Sequence, residues 1–294
     1  PTSQNYYEYK MTPQEYCKQK TKESHSSFLT AFIFLKKEKR EALTALYAFC
    51  REVDDIADEC QDHEIASKKL YWWRDEIDRL FEDKPQHPVS KALHPFIECF
   101  NLSKNYFIEI IDGMEMDVKF NRYESFEQLE LYCYRVASCV GILSAHIFGF
   151  KNKNTLTFAK NLGIALQLTN IIRDLGEDAR RGRIYIPLDE LKKFGVSEEE
   201  IISLKNSDKI KNLVKNQVDR ARKFYSLAIK TLPEEDKKSQ KIGLIMGNIY
   251  FVLLNEIFKD NPEKILNQKT ILPGFRKLRI SILTMLGFSW IKNT

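Results

Sequence analysis

No glycine occurs in this chain before Gly113, and no proline lies between Pro13 and Pro85 or between Pro95 and Pro187. Strands and tight hairpins need frequent turn residues, so these long stretches exclude a β-rich fold. None of the six cysteines, at 17, 50, 60, 99, 133 and 139, forms a Cys-x-x-Cys pair, which removes zinc-knuckle and redox-motif readings. No uninterrupted run of about eighteen apolar residues exists, and no membrane-spanning helix is expected. The first ten residues, PTSQNYYEYK, lack the apolar core of a signal peptide, so a reducing cytoplasm is the expected setting. P-loop, dinucleotide-binding and His-Glu-x-x-His signatures are absent, as is a Gly-x-Ser-x-Gly elbow, and the five histidines are scattered.

What is present is helical. The 294 residues are 43% hydrophobic and 30% charged, ordinary for a globular chain. A net charge of +5 does not demand nucleic acid, and no nucleic-acid partner is expected; it suits an anionic ligand or an acidic membrane surface. In EALTALYAFCREVDDIADEC the apolar positions Ala42, Ala45, Leu46, Phe49, Val53, Ile56 and Ala57 recur at three- and four-residue steps. Helices are predicted at about 14–23, 26–35, 41–60, 65–82, 90–100, 104–119, 126–149, 155–178, 188–193, 198–203, 207–231, 236–260 and 275–291. There is no internal repeat and no break in composition, so residues 1–294 read as one all-α domain, a helical bundle.

Two of these helices carry an unusual stripe. Gln167, Asn170, Asp174 and Asp178 fall at i, i+3, i+7 and i+11 and share one face. The other faces hold Ile164, Leu168, Ile171, Ile172 and Leu175, the pattern of a buried helix. Tyr47, Arg51, Asp54 and Asp58 repeat the arrangement on a second largely apolar helix, with Asp55 beside Asp54. One Asp-x-x-x-Asp is ordinarily a solvated face, and Asp62, which repeats the spacing from Asp58, is read as surface. Two such pairs, each with an arginine shortly before it, Arg51 and Arg173, are a different matter. Stacked carboxylates on buried helices repel each other and need neutralising. Magnesium would do so, because it takes carboxylate oxygens together with substrate phosphates. Arg51, Arg173 and the arginine turn at 180–183 would then contact phosphate, or else pair with neighbouring acids. Ionisation of an organic diphosphate, with the metal-held diphosphate as leaving group, is the chemistry this layout suits. Phe and Tyr together number 32, enough to line an apolar pocket and face a cation, although most belong to the core.

The same segments carry a family resemblance. YAFCREVDDIADEC (47–60) and NIIRDLGEDARRGRIYIP (170–187) resemble the paired aspartate-rich signatures of the squalene/phytoene synthase family. SHSSF (24–28), IIDGMEMD (110–117), YCYRVASCVG (132–141) and IMGNIYFVLLNEI (245–257) are similar to further family motifs, in the expected order. MTPQEYC (11–17) and IIDGMEMD resemble most the bacterial presqualene diphosphate synthase branch, of squalene and hopanoid biosynthesis. The resemblance implies an isoprenoid-synthase bundle with one central cavity, in which two farnesyl diphosphate molecules condense head to head. It implies two or three Mg²⁺ ions held with diphosphate by Asp54, Asp58, Asp174 and Asp178, with Asn170 beside them. Ser27, Arg51, Arg173, Tyr250 and Lys269 would contact diphosphate. Tyr47, Phe28, Tyr132, Gln167 and Tyr185 would line the reaction centre, and Val136 and Ala137 the prenyl tunnel. Arg183 is assigned to phosphate, and Arg180 and Arg181 to the surface.

Three positions depart from the family pattern: Ser138 and Lys269 stand where relatives carry glycine and arginine, and His25 where they carry a small residue. NADPH is not expected. The alternatives within the family are squalene formation with NADPH, or phytoene or dehydrosqualene formation. Outside catalysis, a membrane-associated assembly factor of the same fold would be expected to have damaged aspartate motifs, and both are intact here. Downstream enzymes of the squalene pathway are the protein partners the resemblance suggests. The C-terminal FRKLRISILTMLGFSWIK is basic and apolar, suited either to the inner membrane surface or to packing on the bundle.

Overall fold

The computed structural model describes residues 11–23, 32, 34–60, 62–205, 207–259 and 266–291. Among the described residues every regular element is helical. The chain runs through α1 (Pro13–Glu23), α2 (Lys37–Glu59), α3 (His63–Phe81), α4 (Pro88–Cys99) and α5 (Lys104–Lys119). Next come α6 (Phe126–Cys133), a π-helical turn (Tyr134–Ser138) and α7 (Cys139–Phe148), which together form one continuous rod. It continues through α8 (Asn154–Arg180), α9 (Leu188–Phe194), α10 (Glu198–Ile202), α11 (Asp208–Thr231), α12 (Lys241–Lys259) and α13 (Gly274–Met285).

Local chemistry sets many of the boundaries. Asp62 caps α3 by accepting from the N–H groups of Glu64 and Ile65 at 2.9 and 3.1 Å, so this exposed acid is a cap. Pro88 opens α4, where its missing N–H costs nothing. Ser197 and Glu200 form a reciprocal capping box on α10. Gly195 closes α9 in the left-handed conformation, at φ 65°.

The periodicity read in α2 is its packing: Ala42, Ala45, Leu46, Phe49, Val53 and Ala57 are all buried. α8 is the axis of the bundle and packs on α11, α12, α7 and the π-helical turn. α2 packs on α1, α4, α5 and α7, and α13 lies along α12.

Two predicted spans need correction, a third contains a π-helical turn, and a fourth lies mostly outside the described residues. The helix expected at 126–149 runs from Phe126 to Phe148 and contains the π-helical turn, an extra residue that local propensity does not announce. The helix expected at 236–260 begins as a separate turn, Glu234–Asp236, and α12 starts only at Lys241. Asp236 is the reason: it turns inward to accept from the Lys151 and Asn152 N–H groups and the Thr155 hydroxyl, at 2.8, 3.0 and 2.7 Å. The helix expected at 275–291 stops at Met285, followed by Gly287 at φ 101°. The helix expected at 26–35 lies mostly outside the described residues, and Phe34 already stands in a turn. Two helical stretches among the described residues, 126–148 and 241–259, are long and apolar enough by composition to cross a membrane. In their most apolar windows 50% and 61% is buried inside the bundle, where they serve as core helices.

Candidate active site

α2 and α8 stand on opposite sides of a polar cavity, and their aspartate stripes face into it. Arg51, Asp54 and Asp58 line one wall, and Asn170, Arg173, Asp174 and Asp178 the other. Tyr132 from α6, Tyr185 and Arg183 from the 181–187 turn, Tyr250 from α12 and Lys269 complete it. An apolar tunnel continues inward between Leu46, Val136, Ala137, Phe158, Leu162 and Leu166. Tyr47, Cys50, Val136, Gln167, Asn170 and Tyr250 line both spaces and form the waist between them. Every site residue named from the sequence therefore borders the cavity or the tunnel, apart from Ser27 and Phe28, which lie outside the described residues, as does His25.

The four signature aspartates are not equivalent. Arg173 grips Asp174 with two bonds, at 2.8 and 2.5 Å, and Lys269 adds a third contact at 3.0 Å. Burial pushes Asp174 up, but these cations outweigh it and hold the carboxyl below its usual pKa. Asp178 lacks such a grip, and burial, aided by the charge of Asp174, pushes it up to about 7. Asp54 is likewise raised to about 7, by burial and then by Asp58, although Arg51 contacts it at 2.5 Å. Arg51 divides its guanidinium between Asp54 and Asp55, and Asp55 turns away from the cavity to meet Lys20 at 2.8 Å. Arg183 bonds Asp58 at 3.0 Å and the Ala57 carbonyl at 3.1 Å, tying the turn after α8 to the end of α2. Arg181 pairs with Glu177 at 3.1 Å, and Arg180 donates to the Leu266 carbonyl at 3.1 Å; both are exposed, but Arg181 also stands at the rim of the polar cavity.

The donor set fits magnesium. It is made of carboxylate oxygens and one amide oxygen, Asn170 Oδ1, which is buried without a hydrogen-bond partner. Among the described residues no three acids, histidines or cysteines form a ready-made cage. Magnesium commonly takes only one or two carboxylates and fills its shell with water and substrate phosphate, so this arrangement suits it.

Two site residues escaped the sequence reading. Asp117 accepts from the Tyr132 and Tyr185 hydroxyls at 2.6 and 2.7 Å. Burial raises it to about 6, against those two bonds. Both phenols are in turn held well above their usual pKa, by burial first and by the charge of Asp117 second. The available signal was an acid in line with Ile110 and Met114 on the inward face of α5. Lys277 also lines the cavity, with its pKa lowered by burial and then by the Arg173 charge. Among the described residues no carboxylate pairs with it.

The departures from the family pattern are accommodated. Ser138 is buried, and its hydroxyl donates to the Lys160 carbonyl at 2.7 Å. Lys269 reaches both Asp174 and Glu177. Close approach of helices shapes the tunnel: a Cβ on Gly163 would lie 2.5 Å from the Ser138 Cα.

Comparison with known proteins agrees with this geometry. The squalene/phytoene synthase family profile matches residues 21–276. A phytoene synthase of Arthrospira platensis is 34% identical over 280 residues, covering 90% of this chain and 89% of that protein. A chloroplastic phytoene synthase of an Oncidium hybrid cultivar is 36% identical over 247 residues, 82% of this chain. The crystal structure of a dehydrosqualene synthase in complex with ligand superposes with a TM-score of 0.83 at 28% identity, covering 92% of this chain and 95% of that one. The fold is thus the all-α isoprenoid-synthase bundle of that enzyme. A squalene synthase, HpnC, from Alicyclobacillus acidocaldarius gives 0.74 at 27% identity, over 84% and 94% of the two chains. The aligned part is about 60% of the length of the Oncidium protein.

Proposed function

The chain belongs to the squalene/phytoene synthase family, and from that premise we propose that it condenses two farnesyl diphosphates head to head to presqualene diphosphate. The observation that carries the reading is the juxtaposition of two aspartate stripes in one polar cavity with an apolar tunnel opening from its floor. Diphosphate belongs in the first space and the prenyl chains in the second.

Asp54, Asp58, Asp174, Asp178 and Asn170 would hold magnesium, which when bound neutralises the diphosphate and makes it a better leaving group. The protein does the rest. Arg51 and Arg173 stand ready to fork onto phosphate oxygens and Lys269 to meet them as a point charge, each loosening its contact with the acid it now grips, while Lys277 has no such contact among the described residues to give up. The C–O bond of one substrate breaks, and its electron pair leaves with diphosphate. The double bond of the second substrate attacks the resulting allylic cation. One proton is lost and a cyclopropane closes, with one diphosphate retained in the product. The stacked rings of Tyr132 and Tyr185, 5.4 Å apart, border this space and offer π-faces to the cation. The tunnel walls keep water from the cation.

A second reading, condensation of geranylgeranyl diphosphate towards phytoene, is favoured by the names of the relatives from Arthrospira platensis and the Oncidium hybrid. Incubation with each diphosphate and Mg²⁺, with and without NADPH, followed by product mass spectrometry, separates the two. The presqualene reading requires a C30 cyclopropyl diphosphate without NADPH. Asp54→Asn and Asp174→Asn are each expected to abolish turnover while the circular dichroism spectrum is kept, and full activity in both refutes the proposed clamp.

A further inference from the structure

α13 turns most of its large apolar side chains outward, where a helix at the edge of a bundle ordinarily buries them. Its inward stripe, Lys277, Ile280, Ser281 and Thr284, rests on the bundle. Hydrogen bonds fix its rotation: Asn248 Nδ2 donates to Thr284 Oγ1 at 3.1 Å, and Lys241 Nζ donates to the Thr284 carbonyl at 3.0 Å. The outward stripe is therefore forced into view. Phe275 is 74% exposed, Leu278 42%, Ile282 47%, Met285 40% and Leu286 71%. These positions fall at i, i+3, i+7, i+10 and i+11, one face about 16 Å long. Ile271 and Phe288, 68% and 61% exposed, extend it at either end. Single exposed apolar side chains are common, but a continuous strip of seven marks a surface that is covered in use.

The charge around the strip identifies the cover. From 266 to 291 there is no aspartate or glutamate, while Lys269, Arg276, Lys277 and Arg279 are present. Arg276 bonds Glu256 at 3.1 Å, and Lys269 and Lys277 face the cavity. Arg279 is exposed within the apolar strip itself, next to Leu278 and one turn from Ile282. A second copy laid on this face would set Arg279 against a strip with no acid to meet it. A lipid surface offers what the strip lacks: acyl carbon for the phenylalanines and leucine, and headgroup phosphate for a guanidinium reaching outward from them.

We propose that the outer face of α13, flanked by Ile271 and Phe288, seats this protein on an anionic lipid bilayer surface. The seat adjoins the catalytic cavity, because Lys269, Ile271 and Lys277 from the same segment line the cavity wall. If the proposed condensation is correct, the bilayer receives a product with long apolar chains at the site of its formation. Binding itself does not depend on that activity.

The test is flotation of the full chain with vesicles of phosphatidylcholine alone and of equal parts phosphatidylcholine and phosphatidylglycerol. Binding to the anionic vesicles is expected, and it should weaken as salt is raised because headgroup attraction is screened. The Phe275→Ser, Leu286→Ser, Phe288→Ser triple variant and Arg279→Glu are each expected to lower the bound fraction at least about tenfold, with turnover of soluble substrate in detergent unchanged. Failure to bind the anionic vesicles, or wild-type binding by both variants, overturns the proposal. So does a wild-type dimer that the triple variant makes monomeric and that shows no affinity for vesicles. Loss of turnover in both wild type and variants, with flotation intact, would instead count against the proposed condensation.

Discussion

Replacing Gly163 with alanine adds one methyl group at the tightest point between α8 and the π-helical turn. The new Cβ would lie 2.5 Å from the Ser138 Cα, 2.7 Å from the Ser138 N and 2.9 Å from the Ala137 carbonyl carbon. All three are backbone atoms, so no side-chain rotation relieves the clash, and the two elements must separate by roughly 1 Å. Overpacking of this kind costs up to about 3 kcal/mol, since the strain falls on backbone. The gain in helix propensity on replacing glycine with alanine returns about 1 kcal/mol. The net loss of about 2 kcal/mol corresponds to a fall in Tm of roughly 3 °C for a chain of this size. The same displacement moves Val136 and Ala137 in the tunnel wall, and a 1 Å misplacement near the reacting atoms lowers kcat by about 100-fold. Thermal unfolding and diphosphate release measure the two effects. Gly243→Ala is the control, because its Cβ would meet Phe158 at an ordinary 3.5 Å, and it is expected to hold or raise Tm. A Gly163→Ala protein as stable as the wild type and fully active would refute the claim that this contact sets the tunnel.

The remaining predictions concern charge in the cavity. Asp54 and Asp178 are raised to about 7 and Asp117 to about 6, all above the 3.8 of an unperturbed aspartate. In the metal-free protein these three groups hold more protons in the folded than in the unfolded state between about pH 4 and pH 7. The stability these groups contribute is complete below that window and is lost as pH rises through it. Melting in EDTA should show that Asp54→Asn flattens the fall of Tm across the window, and an unchanged slope would contradict the assignment. Lys277→Met is expected to raise KM for the diphosphate substrate about tenfold, the value of one charged contact, while Tm changes little. An unaltered KM would remove Lys277 from the phosphate site.

The sequence by itself determined the helices and the acids. Sparse turn residues and three- and four-residue apolar steps are local properties, and so is the spacing that stacks Asp54 on Asp58 and Asp174 on Asp178. Their pairing could be inferred because two costly carboxylate stripes on apolar helices need the same remedy. The tertiary structure decided what those helices meet. Asp117 and Lys277 are single charges on the inward faces of other helices, with no second charge at helical spacing to mark them, and only convergence around the cavity shows what they face. The two phenols bonded to Asp117 come from α6 and from the turn after α8, separated by some fifty residues of chain. The π-helical turn that carries Val136 and Ala137 meets Gly163 of α8 closely through Ser138, a contact between segments about twenty-five residues apart in the chain. The division among the four aspartates is also tertiary. Asp174 keeps its charge and Asp178 tends to lose it because Arg173 and Lys269 reach one and not the other, and reach in three dimensions is not written in spacing along a single helix.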